Sequence, residues 1–267
     1  MSIFSLIIFI RNVVYRVLFL IDQILGRKNL ITVFCYHSIS NDSWRYGVSA
    51  KLFKEQMNYM LAKRYTPIST NDLKKFVNGK LKITSPSFVV HFDDGYKDIL
   101  SVREYLNEKS IKPTVFLLTE TKSPNRKELD NNYQFLTDKE IFGLLNDGWE
   151  IGSHSKSHSY LANTDQYTLK SEINDSKKAL EKRFKQTVAY FAYPRGGYDN
   201  KTLTQAYSSG YNLAFSMDDG VISTSADVMR LPRVGVDRTH GFSHFITTFS
   251  PSVIAFRSLV KSLGVTI

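Results

Sequence analysis

Between Leu30 and Val236, short apolar runs rich in β-branched and aromatic residues alternate with segments of helical spacing. Alternation of that kind points to a parallel sheet with helices packed against it, since both kinds of apolar face must be buried against each other. The runs predict strands at Leu30–His37, Thr114–Leu118, Trp149–Ser153, Val188–Tyr193, Tyr211–Phe215 and Arg230–Val236, and one more where the apolar run Phe88–Val90 leads into Asp93 and Asp94. Between them, Phe53, Met57, Met60 and Leu61 mark a helix over Lys51–Arg64, and Thr70 or Asn71 caps a short one over Asn71–Val77. Further helices are expected at Ile99–Lys109, Asp138–Asn146, Asp165–Phe184 and Lys201–Ser209, with terminal helices after Val236. About seven such units favour a closed α/β barrel over an open doubly wound sheet. No Gly-rich phosphate loop follows any strand, which removes support for nucleotide binding.

A chain of 267 residues with 42% hydrophobic content suits one large domain with one core. The single cysteine, Cys35, excludes an internal disulfide framework and a cysteine-rich zinc module. The net charge of +10 favours anionic partners. No nucleic-acid module accompanies it. The densest basic segment, Lys177–Lys185, is interrupted by Leu180, Glu181 and Phe184, as on a solvated helix face.

Residues 3–26 stand apart. On a helical wheel, Ile3, Phe4, Leu6, Ile7, Ile10, Val14, Val17, Leu18, Ile21 and Leu25 fill one half. Ser5, Arg11, Asn12, Arg16, Asp22, Gln23 and Arg27 fall on the other. No charge-free run approaches the roughly 20 residues of a spanning helix, and no small-residue cleavage site is visible. The pattern predicts a helix over 1–28 lying in a membrane interface, peripheral to it, and followed by one domain over 29–267. A helix packed on the domain or on a second subunit is the alternative. Oligomeric state and the side of the membrane stay open.

Two segments carry chemistry. In Ser87–Asp98 an apolar run leads into adjacent carboxylates, Asp93 and Asp94, and breaks at Gly95. Asp-Asp-Gly alone is ordinary turn chemistry, yet here it lies where a strand leaves the core, at the face where barrels collect catalytic groups. The second segment, Gly152–His158, follows the strand residues Trp149–Ile151 and carries His154 and His158. Histidines four apart share one face of a helical turn and reach one ion. With one carboxylate they form a three-ligand site with room for water.

The series Phe92-Asp93-Asp94-Gly95-Tyr96, His154-Ser155-x-x-His158 and Phe191-Ala192-Tyr193-Pro194-Arg195-Gly196 resembles the polysaccharide deacetylase family with the NodB homology domain. That resemblance implies a distorted (β/α)7 barrel and metal-dependent removal of an acyl group from an N-acylated sugar. Mapped onto this chain, it implies Asp94, His154 and His158 as metal ligands and Asp93 as general base. Tyr193 and Arg195 fall at the substrate and oxyanion position. Where many members carry an arginine that pairs with the base, this chain has Ala192. The Ala-Tyr-Pro form resembles a subgroup that supplies the arginine from a later strand, which fits Arg233. No Leu-x-His motif closes the sequence. Permuted members, among them biofilm poly-N-acetylglucosamine deacetylases, carry the equivalent histidine on an N-terminal strand, which fits His37 as general acid. His240 and His244 lack that strand-end context.

The expected activity is therefore hydrolysis of N-acetyl groups from a polysaccharide or glycan at a membrane surface, with Zn2+ as the default ion and Co2+, Ni2+, Mn2+ or Fe2+ as alternatives. A lipid-linked sugar, deacylated or deformylated, is the second substrate reading. A catalytically inactive carbohydrate-binding barrel in a polysaccharide assembly complex is the reading of a different class. Intact Asp93, Asp94, His154 and His158 oppose it.

Overall fold

A computed structural model describes residues 3–121, 133–239 and 241–264. The first half runs α1 (Ile3–Ile24), β1 (Ile31–Tyr36), α2 (Ala50–Ala62), β2 (Thr66–Pro67), α3 (Thr70–Val77) and β3 (Ser87–Phe92). A 3-10 turn, Lys97–Val102, then leads into α4 (Arg103–Glu108). Next come β4 (Thr114–Leu117), α5 (Asp138–Asn146), β5 (Glu150–Ser153) and α6 (Gln166–Leu169). A π-helical turn, Lys170–Asp175, joins α6 to α7 (Ser176–Phe184). The chain closes with β6 (Tyr190–Ala192), α8 (Asn200–Ser208), β7 (Leu213–Phe215), β8 (Val234–Gly235), α9 (Phe242–Thr248) and α10 (Pro251–Ser262).

The strands form one parallel sheet in the order β7-β6-β5-β4-β3-β1-β8. The two-residue β2, absent from the sequence expectation, pairs with the start of β3, while β4 pairs with its end. Eight strands thus occupy seven positions. The sheet curls toward closure because β7 bonds to the segment before β8: Leu231 N–H donates to Ala214 O and Ser216 N–H to Leu231 O. This is the α/β barrel that the alternation implied, in the distorted form implied by the family resemblance. Between Arg230 and Val236 only Val234–Gly235 is strand. Pro232 has no N–H to offer a ladder at that point.

Side chains alternate along each strand. Phe34, Phe88, Val90, Phe92 and Val115 join Phe53, Met57 and Met60 of α2 in the main core. His91 points elsewhere, between Phe116 and Phe215, with Nε2 3.0 Å from Thr70 Oγ1. The α3 cap is Ser69, one residue before the expected Thr70 and two before Asn71; its Oγ accepts from Asp72 N–H at 3.1 Å. Glu150 takes the N–H groups of Thr70 and Asn71, so the first turn of α3 is held by the start of β5.

Helix α1 docks on α9 and α10. Tyr15 is buried against His244 and Phe256, with ring centroids 5.8 and 6.3 Å away. Asp22, on the half of the wheel expected to face solvent or headgroups, is fully buried. Its carboxylate accepts from Ser250 Oγ, from Ser252 N–H at 2.8 Å and from Ser252 Oγ at 2.7 Å, holding the start of α10. Four donors left unpaired at a helix start attract a carboxylate, and that requirement turns this polar residue inward. The other side of α1 remains apolar and exposed, through Phe9, Val13, Val17, Leu20, Ile24 and Leu25. No helix among the described residues is long and apolar enough to cross a membrane.

Candidate metal centre and catalytic cleft

The register between β1 and β3 places the site. Tyr36 pairs with Phe92, and Asp93 N–H donates to Tyr36 O at 2.9 Å, so His37 and Asp93 leave their strands side by side. Consecutive residues of an extended strand face opposite ways. Asp94 escapes that rule by adopting a left-handed backbone, φ 70°, followed by Gly95 at φ 77°. Both carboxylates then reach His154: Asp93 Oδ2 and Asp94 Oδ1 each lie 3.8 Å from its Nε2.

His158 Nε2 is 3.6 Å from Asp94 Oδ1. The histidine pair converges without the helical turn that its spacing suggested. Residues 154–158 are an irregular loop, with left-handed Ser155 (φ 72°) and His158 (φ 63°) bringing the ring centroids to 5.0 Å. Buried acceptors hold the loop in place of a helical ladder. Glu172, on the π-helical turn, accepts from Lys156 N–H at 3.0 Å, Ser157 N–H at 2.9 Å and Ser157 Oγ at 2.6 Å. Ser155 Oγ accepts from His158 N–H at 3.1 Å.

His154 Nδ1 is 2.8 Å from the carbonyl of Ala192, to which only its N–H form can donate, leaving the Nε2 lone pair for the cluster. Burial lowers its pKa to about 4, so the ring is neutral near pH 7, as a ligand must be. Asp94 is buried, and neither of its oxygens has a hydrogen-bond donor. An isolated buried carboxylate costs several kcal/mol, and a cation held between it and the two imidazoles would offset that cost. Asp94, His154 and His158 have ligand atoms within 4.8 Å of one another. Bonds of about 2.0–2.2 Å to N and O place tetrahedral ligands about 3.3–3.6 Å apart, so the donors fit a divalent ion.

Asp93 has a different environment. Arg233, wholly buried, donates from Nη1 to Oδ1 and from Nη2 to Oδ2, both at 2.8 Å, and from Nε to Ser216 O. Burial alone would raise the carboxyl, but the guanidinium, with His154 and His37, holds it well below the usual carboxylate range. Asp93 is therefore ionised across the working pH range.

His37, Tyr46, Asp93, His154, His158, Tyr193, Arg195, Gly196, Met217 and Arg233 line one cavity of about 460 Å³. Seven of the eight residues singled out in the sequence stand on that wall, and the eighth, Asp94, lies behind it. Tyr193 serves as wall only: its hydroxyl donates to Met229 O at 2.8 Å and its N–H to Phe215 O at 3.0 Å. Arg195 sits at φ 56° on the turn after β6. His244 lies against Tyr15, away from this cavity, and His240 lies outside the described residues. Sequence reasoning missed Glu172, the Ala192 carbonyl, Tyr46, Met217 and the Cys35 thiol, which approaches Asp93 Oδ2 at 3.3 Å. Ala192 stands in the third motif, but its backbone carbonyl leaves no signal in the residue type, and the other four belong to no motif that would have flagged them.

A family model described as polysaccharide deacetylase matches residues 80–214, 135 of 267. YxkH of Bacillus subtilis (strain 168) is 27% identical over 207 residues, covering 77% of this chain and 71% of that protein. Poly-beta-1,6-N-acetyl-D-glucosamine N-deacetylase of Staphylococcus aureus (strain MSSA476) is 24% identical over 233 residues, covering 82% and 78%. Among solved structures, the Streptococcus pyogenes deacetylase PplD, in complex with acetate, superposes with a TM-score of 0.71 at 23% identity, over 83% of this chain and 98% of that one.

Proposed function

The chain belongs to the polysaccharide deacetylase family, and from that premise we propose that it is a metal-dependent hydrolase that removes N-acetyl groups from a glucosamine-containing polysaccharide. One observation carries the reading: the donor-free buried carboxylate of Asp94 faces two imidazoles, beside a second carboxylate, Asp93, that Arg233 keeps charged. Asp94, His154 and His158 hold the ion, with Zn2+ as the default for an N2O donor set. When bound, it polarises the acetamide carbonyl and acidifies the attacking water.

The chain's own residues do the rest. Asp93, ionised and fixed by the two Arg233 bonds, accepts the proton of the attacking water. His37, beside Asp93 at the ends of β1 and β3, protonates the departing amine nitrogen. The Tyr193 ring and Met217 form the apolar wall for the acetyl methyl, and the turn at Arg195 and Gly196 borders the cavity where the oxyanion would develop. The name of the Staphylococcus aureus relative supports a β-1,6-linked N-acetylglucosamine polymer as substrate.

The apolar face of α1 supports a location at a bilayer. Exposed Phe9, Val13, Val17, Leu20, Ile24 and Leu25 exceed what a soluble surface usually leaves open. Exposed Arg16, Arg27 and Lys28, with the net charge of +10, suit anionic headgroups.

The test of the reaction is mass spectrometry of β-1,6-linked N-acetylglucosamine oligomers incubated with metal-loaded protein. Stepwise loss of acetyl groups is expected. Unchanged oligomers with full metal occupancy would favour the binding-barrel alternative.

A further inference from the structure

Beside the cluster of Asp94, His154 and His158 stands a second convergent donor set that the proposed reaction does not use as ligands. Cys35 and His37 are two apart on β1 and its continuation, so their side chains share a face. Both meet Asp93, the residue after β3, and the three ligand atoms lie within 4.8 Å of one another. Cys35 is fully buried, with Sγ 3.3 Å from Asp93 Oδ2. His37 Nδ1 is enclosed and has no hydrogen-bond partner. We propose that Cys35, His37 and Asp93 form a second, regulatory site for a soft divalent ion, and that excess Zn2+ bound there shuts the enzyme down.

The spacing suits such an ion. Zn–S of about 2.3 Å and Zn–O of about 2.0 Å at a tetrahedral angle separate sulfur from oxygen by about 3.5 Å. The observed 3.3 Å is therefore nearly the edge of a coordination tetrahedron. Without an ion the Cys35 thiol donates its proton to Asp93 Oδ2 along that edge. Binding releases this proton to solvent as the Sγ–metal bond forms. Thiolate selects Zn2+ or Cd2+ over Mn2+ and Mg2+, unlike the harder N2O set next to it.

Charge sets the order of filling. Arg233 lies against Asp93, and a second cation there meets a fixed guanidinium. The first set has no such neighbour within ion-pairing distance of Asp94 among the described residues, so it fills first. Occupation of the second set then takes the proton acceptor, Asp93, and the proton donor, His37, out of use together. That consequence rests on the proposed hydrolase reading; binding itself does not.

Cobalt titration of the metal-free protein separates the two. Co2+ beyond one equivalent is expected to bring a thiolate-to-cobalt charge-transfer absorption. With one cysteine in the chain, that band has only Cys35 as its source. Saturation at one equivalent with no thiolate band overturns the site, whether or not the protein deacetylates anything. For the regulatory part, acetate release by the zinc enzyme should fall as free Zn2+ or Cd2+ rises and stay level in Mn2+. In Cys35→Ala, measured against its own uninhibited rate, half-inhibition should need roughly tenfold more Zn2+ or greater, the effect of losing a ligand. Should Cys35→Ser and Cys35→Ala both keep the wild-type zinc response, zinc does not act through this set.

Discussion

Replacing Arg233 by methionine keeps much of the volume and removes the charge that balances Asp93. The side chain is fully buried and makes three hydrogen bonds, two of them to the carboxylate. Taking one partner from a buried ion pair costs about 3–5 kcal/mol. In a domain of this size that corresponds to a Tm loss of roughly 6–20 °C near neutral pH. The loss depends on pH with a definite sign. In the native protein the Asp93 pKa is held below that of the unfolded chain, so the pair stabilises the fold above the unfolded value, about 3.9, and fades only as pH falls through the folded one. Without Arg233, burial dominates and raises the carboxyl. The folded state then binds a proton more tightly than the unfolded one, and the variant's Tm deficit narrows as pH falls. Each 1.36 kcal/mol of penalty relieved by protonation is about one pKa unit. A 3 kcal/mol penalty therefore raises the carboxyl by about two units and brings a new acid limb into the rate profile. The assays are thermal denaturation from pH 4 to 8 and kcat/KM over the same range. A variant as stable as wild type, with an overlaid pH profile, would refute the assignment of Arg233 as the group that keeps Asp93 ionised.

Three further outcomes are expected. His37→Ala should lower turnover on amides while sparing metal content, and by a smaller factor on activated aryl esters, whose leaving groups need no proton; equal losses on both would make His37 structural. Glu172→Ala removes the acceptor of two backbone N–H groups, that of Ser157 buried and that of Lys156 part-buried, at about 1–3 kcal/mol for the buried one, so metal affinity should drop about 10–100-fold; unchanged affinity would mean the His154–His158 loop holds itself. Full-length protein should co-sediment with vesicles containing anionic lipid and be only partly released by high salt, because apolar burial is not screened; a stable dimer that ignores vesicles would assign the α1 face to a subunit contact.

Much of the barrel was legible because its strands are apolar runs that stop at turn residues, and Asp93-Asp94-Gly95 announced a strand end by itself. The left-handed Asp94 that lets adjacent carboxylates share one site was readable only as a tolerance for turns. His154 and His158 were found by spacing, but their convergence comes from a loop pinned by Glu172, about fifteen residues away, through backbone N–H groups that leave no side-chain signature. Arg233 meets Asp93 across 140 residues, and only the family resemblance pointed to it. Cys35 was invisible as a partner, since strand register, not sequence, sets it beside Asp93. For α1 the two-sided pattern was plain. Which polar residue turned inward depended on Ser250 and Ser252, and wheel periodicity carries no information about a distant helix start.

The central claim is that one ion held by Asp94, His154 and His158 makes Asp93 a productive base. Its most direct test is acetate release by chelator-treated protein titrated with a divalent ion, with bound metal counted in the same samples. The account predicts no release without metal and full return near one bound equivalent. Asp94→Ala should show neither binding nor return, and Asp93→Asn should bind the ion yet release almost no acetate. Full activity in the stripped protein, or full metal occupancy in Asp94→Ala, would contradict it.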